Sequence, residues 1–362
     1  MQVLTKEIAY KELQKFFQDT PFVLFGTGMS CAVDERFGMD YLKEHLIECI
    51  KRENLSNSQN IEWDSVLESL NDGADFETAM NSIKDISLIK IIVEITGNFI
   101  GTLDFEYSQK ILNNEINWPA STLFKKIVNG LYGTDHELHV ATPNYDLLAE
   151  YAFEKYGIPY INGFYGSINR KLNWEKSKRN ITYIENVPHG KKIERVLRKE
   201  KHIALYKVHG SLNLFLINDH LIENNAWLYT KPENIERIII TPGISKYEKL
   251  HLFRNELLGK YDSVIERHNF FLFLGFGFND TQLNNHTIIN KLQNQNSNGL
   301  VITKYSNERI EKILQSSENL WHICSNDKIG TIIKNKKYSE PLIINDKELW
   351  KVDIFVSTIL GD

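Results

Sequence analysis

Four largely apolar runs stand out along the chain, and each stops at a short polar segment. Residues 22–25 stop at Gly26-Thr27-Gly28-Met29-Ser30, and residues 138–141 at Thr142-Pro143-Asn144-Tyr145-Asp146. Residues 204–208 stop at His209-Gly210-Ser211, and residues 270–274 at Gly275-Phe276-Gly277-Phe278-Asn279-Asp280. Near-continuous hydrophobicity without alternation is the pattern of strands buried on both faces of a parallel sheet. Residues 237–243, 299–305 and 320–325 have the same character and are expected in the same sheet. Helical spacing lies between the runs: Ile8, Leu13, Phe16 and Phe17; Leu42, Leu46, Cys49 and Ile50; and residues 146–156, which stop at Gly157 before Pro159. Such alternation of strand and helix predicts a doubly wound α/β fold with a mostly parallel, Rossmann-like sheet.

Two stretches break the rhythm of what reads as a single domain over 1–362. Residues 34–133 carry helical patterns such as Trp63, Val66, Leu67, Leu70 and Leu88, Ile91, Ile92, Ile95. Their length far exceeds a strand-to-strand crossover, which predicts a large helical insertion packed over the strand ends. Residues 163–201 read as an irregular basic insertion, its lysines and arginines interleaved with Glu175, Glu185, Glu194 and Glu200. Mixed charge of this kind points to a solvated surface rather than a nucleic-acid site. Residues 347–360 read as an amphipathic final helix.

Composition narrows the class without choosing the function. With 42% hydrophobic and 25% charged residues the chain can bury a large core, and its net charge of −5 gives no general attraction to nucleic acid or anionic membrane. The richest apolar stretch, residues 88–100, is interrupted by Lys90 and Glu94, and the N-terminus lacks the basic-then-apolar pattern of a secretory signal. A soluble cytoplasmic protein is expected. Cys31, Cys49 and Cys324 are odd in number and scattered, so neither a disulfide framework nor a four-thiolate zinc site is expected, and no metal.

In an open parallel sheet, ligands bind where the carboxyl ends of strands feed into loops. Gly26 and Gly28 allow a tight turn and close backbone approach to a pyrophosphate, with the Ser30 hydroxyl available to it, although a plain strand-to-helix turn has the same signature. Pro143 should end its strand, so Asn144 and Asp146 project from it toward ribose hydroxyls and a carboxamide; alternatively Asp146 caps the next helix. His209, followed by Gly210 and Ser211, is placed as a general base, or is a structural histidine. Gly275 and Gly277 permit close approach, while Asn279 or Asp280 hydrogen-bonds a ribose or caps a helix starting near Thr281.

The four motifs, in this order, resemble those of the sirtuin superfamily: a Gly-Ala-Gly-x-Ser loop, a Thr-x-Asn-x-Asp strand end, a catalytic histidine followed by glycine, and a later Gly-x-Ser or similar nucleotide loop. The resemblance implies NAD as substrate, with Asn144 at the nicotinamide ribose, Asp146 at the carboxamide and His209 as base. It implies nucleotide contacts from Gly26, Thr27, Gly28, Ser30, Thr142, Asp146, Ser211, Gly275, Gly277 and Asn279. Protein-deacylating sirtuins carry a four-cysteine zinc module that these three cysteines cannot form. That departure, the long helical insertion and the final helix are similar to sirtuin-like effectors of bacterial anti-phage systems. The expectation is an NAD glycohydrolase giving nicotinamide and ADP-ribose, an NAD-depleting abortive-infection effector. It would be a homo-oligomer or act with an operon-encoded partner such as a HerA-type ATPase or sensor, its contacts made by the helical insertion and the final helix. An NAD-dependent deacylase and a non-catalytic NAD or ADP-ribose binding module are the alternatives.

Overall fold

The computed structural model describes residues 3–132, 136–243, 248–280, 283, 286–294, 297–327 and 329–361, with side chains described at all of these except 248–256, 286 and 294. Gly133 and the helix start expected near Thr281 lie outside the described residues. Helix α1 (Lys6–Phe16) leads into β1 (Phe22–Phe25) and the short α2 (Gly28–Cys31). Five more helices follow, α3 (Met39–Ile50), α4 (Asn57–Asn71), α5 (Phe76–Met80), α6 (Ile86–Leu112) and α7 (Ser121–Gly130), before β2 (Glu137–Thr142) and α8 (Leu148–Tyr156). Then come β3 (Tyr160–Ile161), β4 (Phe164–Tyr165), β5 (Arg170–Leu172), α9 (Trp174–Ser177), β6 (Thr182–His189), β7 (Lys192–Lys199), β8 (His202–Lys207), β9 (Gly210–Ile217), β10 (His220–Glu223) and β11 (Glu236–Ile239). The chain closes with α10 (Glu248–Ile265), β12 (Phe270–Leu274), α11 (His286–Asn294), β13 (Asn298–Ile302), α12 (Glu308–Ser316), β14 (Leu320–Ser325), β15 (Thr331–Lys334), β16 (Leu342–Ile344) and α13 (Val352–Phe355), which runs on as a π-turn over Val356–Leu360.

The fold is α/β, built on a nine-stranded sheet in the order β16-β15-β14-β13-β12-β1-β2-β8-β3. Seven strands are mutually parallel, and β15 and β16 complete one edge antiparallel. Alternate side chains feed two separate cores. Val23, Phe25, Leu272 and Leu274 join one cluster; Phe22, Leu24, Phe271 and Phe273 join the other. That is why these runs read as unbroken apolar sequence: both faces are covered. Each such fully buried phenylalanine or leucine contributes roughly 1.5–3 kcal/mol. β1 has β2 on one side and β12 on the other, so the chain's direction of travel across the sheet reverses at β1. A crevice opens at such a reversal, outside the carboxyl ends of the strands.

Local signals set the helix ends. The α1 N-terminus is capped by Thr5, and Ser56 and Gln59 form a capping box on α4. α8 stops at Gly157 in the left-handed region, φ +62°. Helices α2 to α7 fill the span between β1 and β2. α6 is, by length and mean hydropathy of 1.5, long and apolar enough to cross a membrane, and half of its most apolar window is buried. It packs on α3 and α8, with Leu88, Ile92 and Ile100 in the core.

Three expectations need correction. Residues 237–243 do not join the parallel sheet: β11 pairs antiparallel with β9 in a separate sheet ordered β11-β9-β10-β5-β4. The stretch 163–201 is not irregular, since it contains β4, β5, α9 and a hairpin whose strands pair from Thr182↔Lys199 to His189↔Lys192. The expected final helix begins only at Val352 and is not an open amphipathic face. Val352, Phe355, Val356 and Ile359 are buried, and Gln14 Nε2 of α1 donates to the Ile359 carbonyl at 2.8 Å.

Candidate active site

The carboxyl ends of β12, β1, β2 and β8, four neighbours in the sheet, open into one cleft of about 310 Å³. Gly26, Thr27, Asn144, Asp146, His209, Gly275, Gly277 and Asn279 all line it. The other face comes from the helices after β1, through Phe37, Met39, Leu42, Glu77 and Ile100, and from the segment Ile240, Thr241, Pro242 and Gly243 beyond β11.

The glycines of the first and last motifs serve each other. Gly26 N donates to the Leu274 carbonyl at 2.9 Å and Gly28 N to the Gly275 carbonyl at 3.0 Å. A Cβ on Gly28 would lie 2.7 Å from Gly275 Cα, and Gly275 itself has φ +55°. Backbone this close leaves no room for side chains, so the two loops are clasped into one floor beneath the cleft.

Asn144 is 6% exposed, and its Nδ2 donates to the Gly26 carbonyl at 3.1 Å and to Ser30 Oγ at 2.9 Å. Its Oδ1 is buried with no hydrogen-bond partner among the described residues. A buried acceptor without a donor is costly, and a ligand hydroxyl would satisfy it. Four sequence-predicted residues stand behind this position instead of lining the cleft. Gly28 is in the clasp. Ser30, read as a pyrophosphate contact, is buried and uses its hydroxyl to donate to Asp146 Oδ2 at 2.8 Å. Thr142 Oγ1 accepts from Asn144 N at 3.1 Å, fixing the turn at Pro143. Ser211 Oγ donates to the Tyr145 carbonyl at 3.3 Å and faces a smaller, separate cavity. Asp146 takes up both of its sequence readings in part, since it lines the cleft and its Oδ1 accepts from Leu148 N at 3.3 Å at the start of α8.

His209 occupies the junction where β8 of the parallel sheet passes into β9 of the antiparallel one. Gly210 makes the corner at φ +78°, where an added Cβ would meet the Ile238 carbonyl oxygen at 2.2 Å. His209 Nε2 lies 3.2 Å from Asp280 Oδ2, and Asp280 Oδ1 accepts from Leu283 N at 3.2 Å. The Tyr145 hydroxyl donates to the Ile240 carbonyl at 2.5 Å. Burial pushes this phenol well above its usual range, and the charges of Asp280 and Glu77 push it further. Burial, with Asp280 and Asp75 adding to it, also holds the half-buried Glu77 carboxyl up at about 7.

Beneath the cleft, buried polar groups fix the Asn144–Asp146 turn. Lys207 Nζ donates to the Asp146 carbonyl and lies 3.1 Å from Glu150 Oε1. Asp104 of α6 accepts from Leu147 N at 2.6 Å and from the Tyr229 hydroxyl at 2.9 Å. Its full burial raises it to about 7 against those hydrogen bonds.

A family model described as SIR2-like domain matches residues 138–323, just over half of the chain. The chain belongs to the SIR2-like family. Among curated proteins none matches it at a significant level. The match begins in β2 and so covers the Asn144, His209 and Gly275 motifs but not the Gly26 loop, which the structure brings against Gly275. The family association is consistent with an NAD-utilising enzyme. The four-thiolate zinc module of deacylating relatives does not fit these residues, because all three cysteines are free and far apart in sequence. Among the described residues no group of three or more His, Cys, Asp or Glu could hold a metal ion.

Sequence reasoning missed Glu77 and the segment 240–243. The second had a signal: Thr241-Pro242 after an isoleucine run repeats the Thr142-Pro143 strand ending, and both prolines line the cleft. Glu77 had none, being one acid on a five-residue helix.

Proposed function

We propose that this SIR2-like chain is an NAD glycohydrolase, cleaving NAD to nicotinamide and ADP-ribose. The observation that carries the reading is the convergence of four separate strand-end motifs on one cleft, lined both by His209 and by Asn144, whose Oδ1 has no partner among the described residues. The bond between the ribose anomeric carbon and nicotinamide breaks with its electron pair returning to the ring, leaving neutral nicotinamide. Asn144 Oδ1 accepts from a ribose hydroxyl and holds the sugar as positive charge develops on it. Water forms the new bond to the anomeric carbon, and its proton passes to His209, paired with Asp280. The clasped glycine loops form the floor, and the rest of the dinucleotide lies along Thr27, Gly277 and Asn279 in the lining.

We further propose that the activity depletes cytoplasmic NAD as an anti-phage response, held in check or released by an operon-encoded partner such as a HerA-type ATPase or sensor, or by self-assembly. Support comes from the long helical stretch between β1 and β2, the missing four-cysteine module, and the need to restrain an enzyme that destroys a central cofactor. The test is incubation of the purified protein with NAD, alone and with the product of the neighbouring gene, and measurement of free nicotinamide. Release that disappears in Asn144→Ala supports the reading. Acetyl-ADP-ribose formed only with acetylated peptide would support a deacylase instead, and binding without any turnover a silent module.

A further inference from the structure

We propose that the β6–β7 hairpin is where two copies of this chain meet: the outer edge of β7 pairs antiparallel with β7 of a second copy about a twofold axis at Val196, making a four-stranded sheet ordered β6-β7-β7-β6. This stands on the hairpin alone and is independent of what the cleft cleaves.

Strands β6 and β7 pair with each other from end to end and, among the described residues, with no other strand. Every residue of β7 is exposed except Val196, which is part-buried. Directly opposed residues share a face, so Ile184, Pro188, Ile193 and Leu197 lie together on one side of the ribbon, and all four are exposed. A two-stranded ribbon left uncovered is marginal in water, and two further strands supply the missing ladder. Its open edges are templates for another strand. β6 carries Pro188, which has no N–H to offer, so β7 is the edge with a full set of donors.

The charges of β7 fit a copy of the same strand. In an antiparallel pair, backbone groups point toward the partner at every second residue, so two identical strands related by a twofold axis must centre on a residue and not between two. Centred on Val196, the register sets Glu194 opposite Arg198, and Lys192 opposite Glu200 just beyond β7, each pair occurring twice by symmetry. Val196 then faces its own copy, while Ile193 faces Lys199 and Leu197 faces Arg195. No like charges are opposed. Each other centre from Ile193 to Lys199 opposes at least one like-charged pair: centring on Arg195 sets Lys192 against Arg198, and centring on Leu197 sets Glu194 against Glu200. Opposite charges across a strand pair stabilise it and like charges destabilise it, so one register is selected. Arg198 Nε already donates to Glu185 Oε2 of its own ribbon at 2.9 Å, and the guanidinium has further N–H groups for Glu194 of the second copy.

The test is the mass of the full chain by sedimentation across micromolar concentrations. Wild type should be a dimer. Glu194→Arg and Arg198→Glu each oppose like charges at two places across the axis and should weaken dimerisation by about tenfold or more, while an equimolar mixture of the two variants should dimerise again, since each chain then meets its complement. Association lost in the single variants and regained in the mixture cannot come from misfolding. Val196→Cys, on the axis, should form an interchain disulfide under mild oxidation that wild type lacks. A wild type that stays monomeric at every concentration would overturn the proposal. So would single variants that dimerise as wild type does, a mixture that stays monomeric, or a Val196→Cys dimer that does not cross-link.

Discussion

The cleft has two walls built on different principles. The strand-end wall is made of short turns held by backbone contacts and committed side chains, such as the Gly26–Gly275 clasp and the Ser30–Asp146–Asn144 network. The helical wall presents Phe37, Leu42 and Ile100, all nearly fully buried, and, among the described residues, one titratable group, Glu77. In the proposed reaction the first wall fixes where the reacting atoms sit. The second closes the space and adds the Glu77 carboxyl to its lining. Chemistry should therefore fail when the first wall is altered, and stability or pH response should change when the second is.

The largest effect expected is on turnover. Asn144→Ala and His209→Ala should each lower kcat/KM for nicotinamide release by roughly 10²–10⁴-fold. Thermal melting should change little in His209→Ala and fall in Asn144→Ala, which also loses the bonds of Nδ2 to Gly26 and Ser30. Early melting of His209→Ala would show that its side chain holds the β8–β9 corner rather than serving a ligand.

On the helical wall, Ile100→Ala removes a side chain that is 5% exposed and should cost about 2–4 kcal/mol in denaturant unfolding. Gly275→Ala tests the clasp. Its φ of +55° and the 2.7 Å approach of a Cβ to Gly28 C and Met29 N predict a loss of at least about 2 kcal/mol. If Gly275→Ala keeps full stability but loses turnover, the glycine serves a ligand rather than the clasp.

A pH-dependent effect concerns Asp104, which ties α6 to the start of α8. Its folded-state carboxyl lies at about 7 against an ordinary 3.8, so its neutral form is the one the fold prefers. The stability this contributes is complete below about pH 3.8 and is lost as pH rises toward 7. Asp104→Asn should flatten that part of the stability profile. An unchanged slope would assign it to other groups.

The strand-end wall was legible because its strands are buried on both faces and its turns need particular residues, Pro143, Gly210 and the paired glycines. What failed was assignment of partners. Ile238, Ile239 and Ile240 are as apolar as the residues of β12, and hydrophobicity alone cannot say that β11 pairs with β9 in another sheet. The hairpin at 182–199 was hidden by its exposure: with Ile184, Ile193 and Leu197 each over 60% exposed, neither face carries an inward apolar stripe. Ser30 and Glu77 exchange their apparent importance only in three dimensions. The hydroxyl beside the glycines is used up by Asp146, and an unremarked acid on a short helix reaches the cleft.

The most direct test of the central claim is an NMR titration of NAD into His209→Ala, which should bind the dinucleotide without consuming it. Chemical-shift changes should concentrate in residues 26–30, 143–146, 240–243 and 275–280, together with α5. No saturable change, or changes centred on the 182–199 hairpin with the strand ends silent, would contradict the assignment of this cleft to NAD.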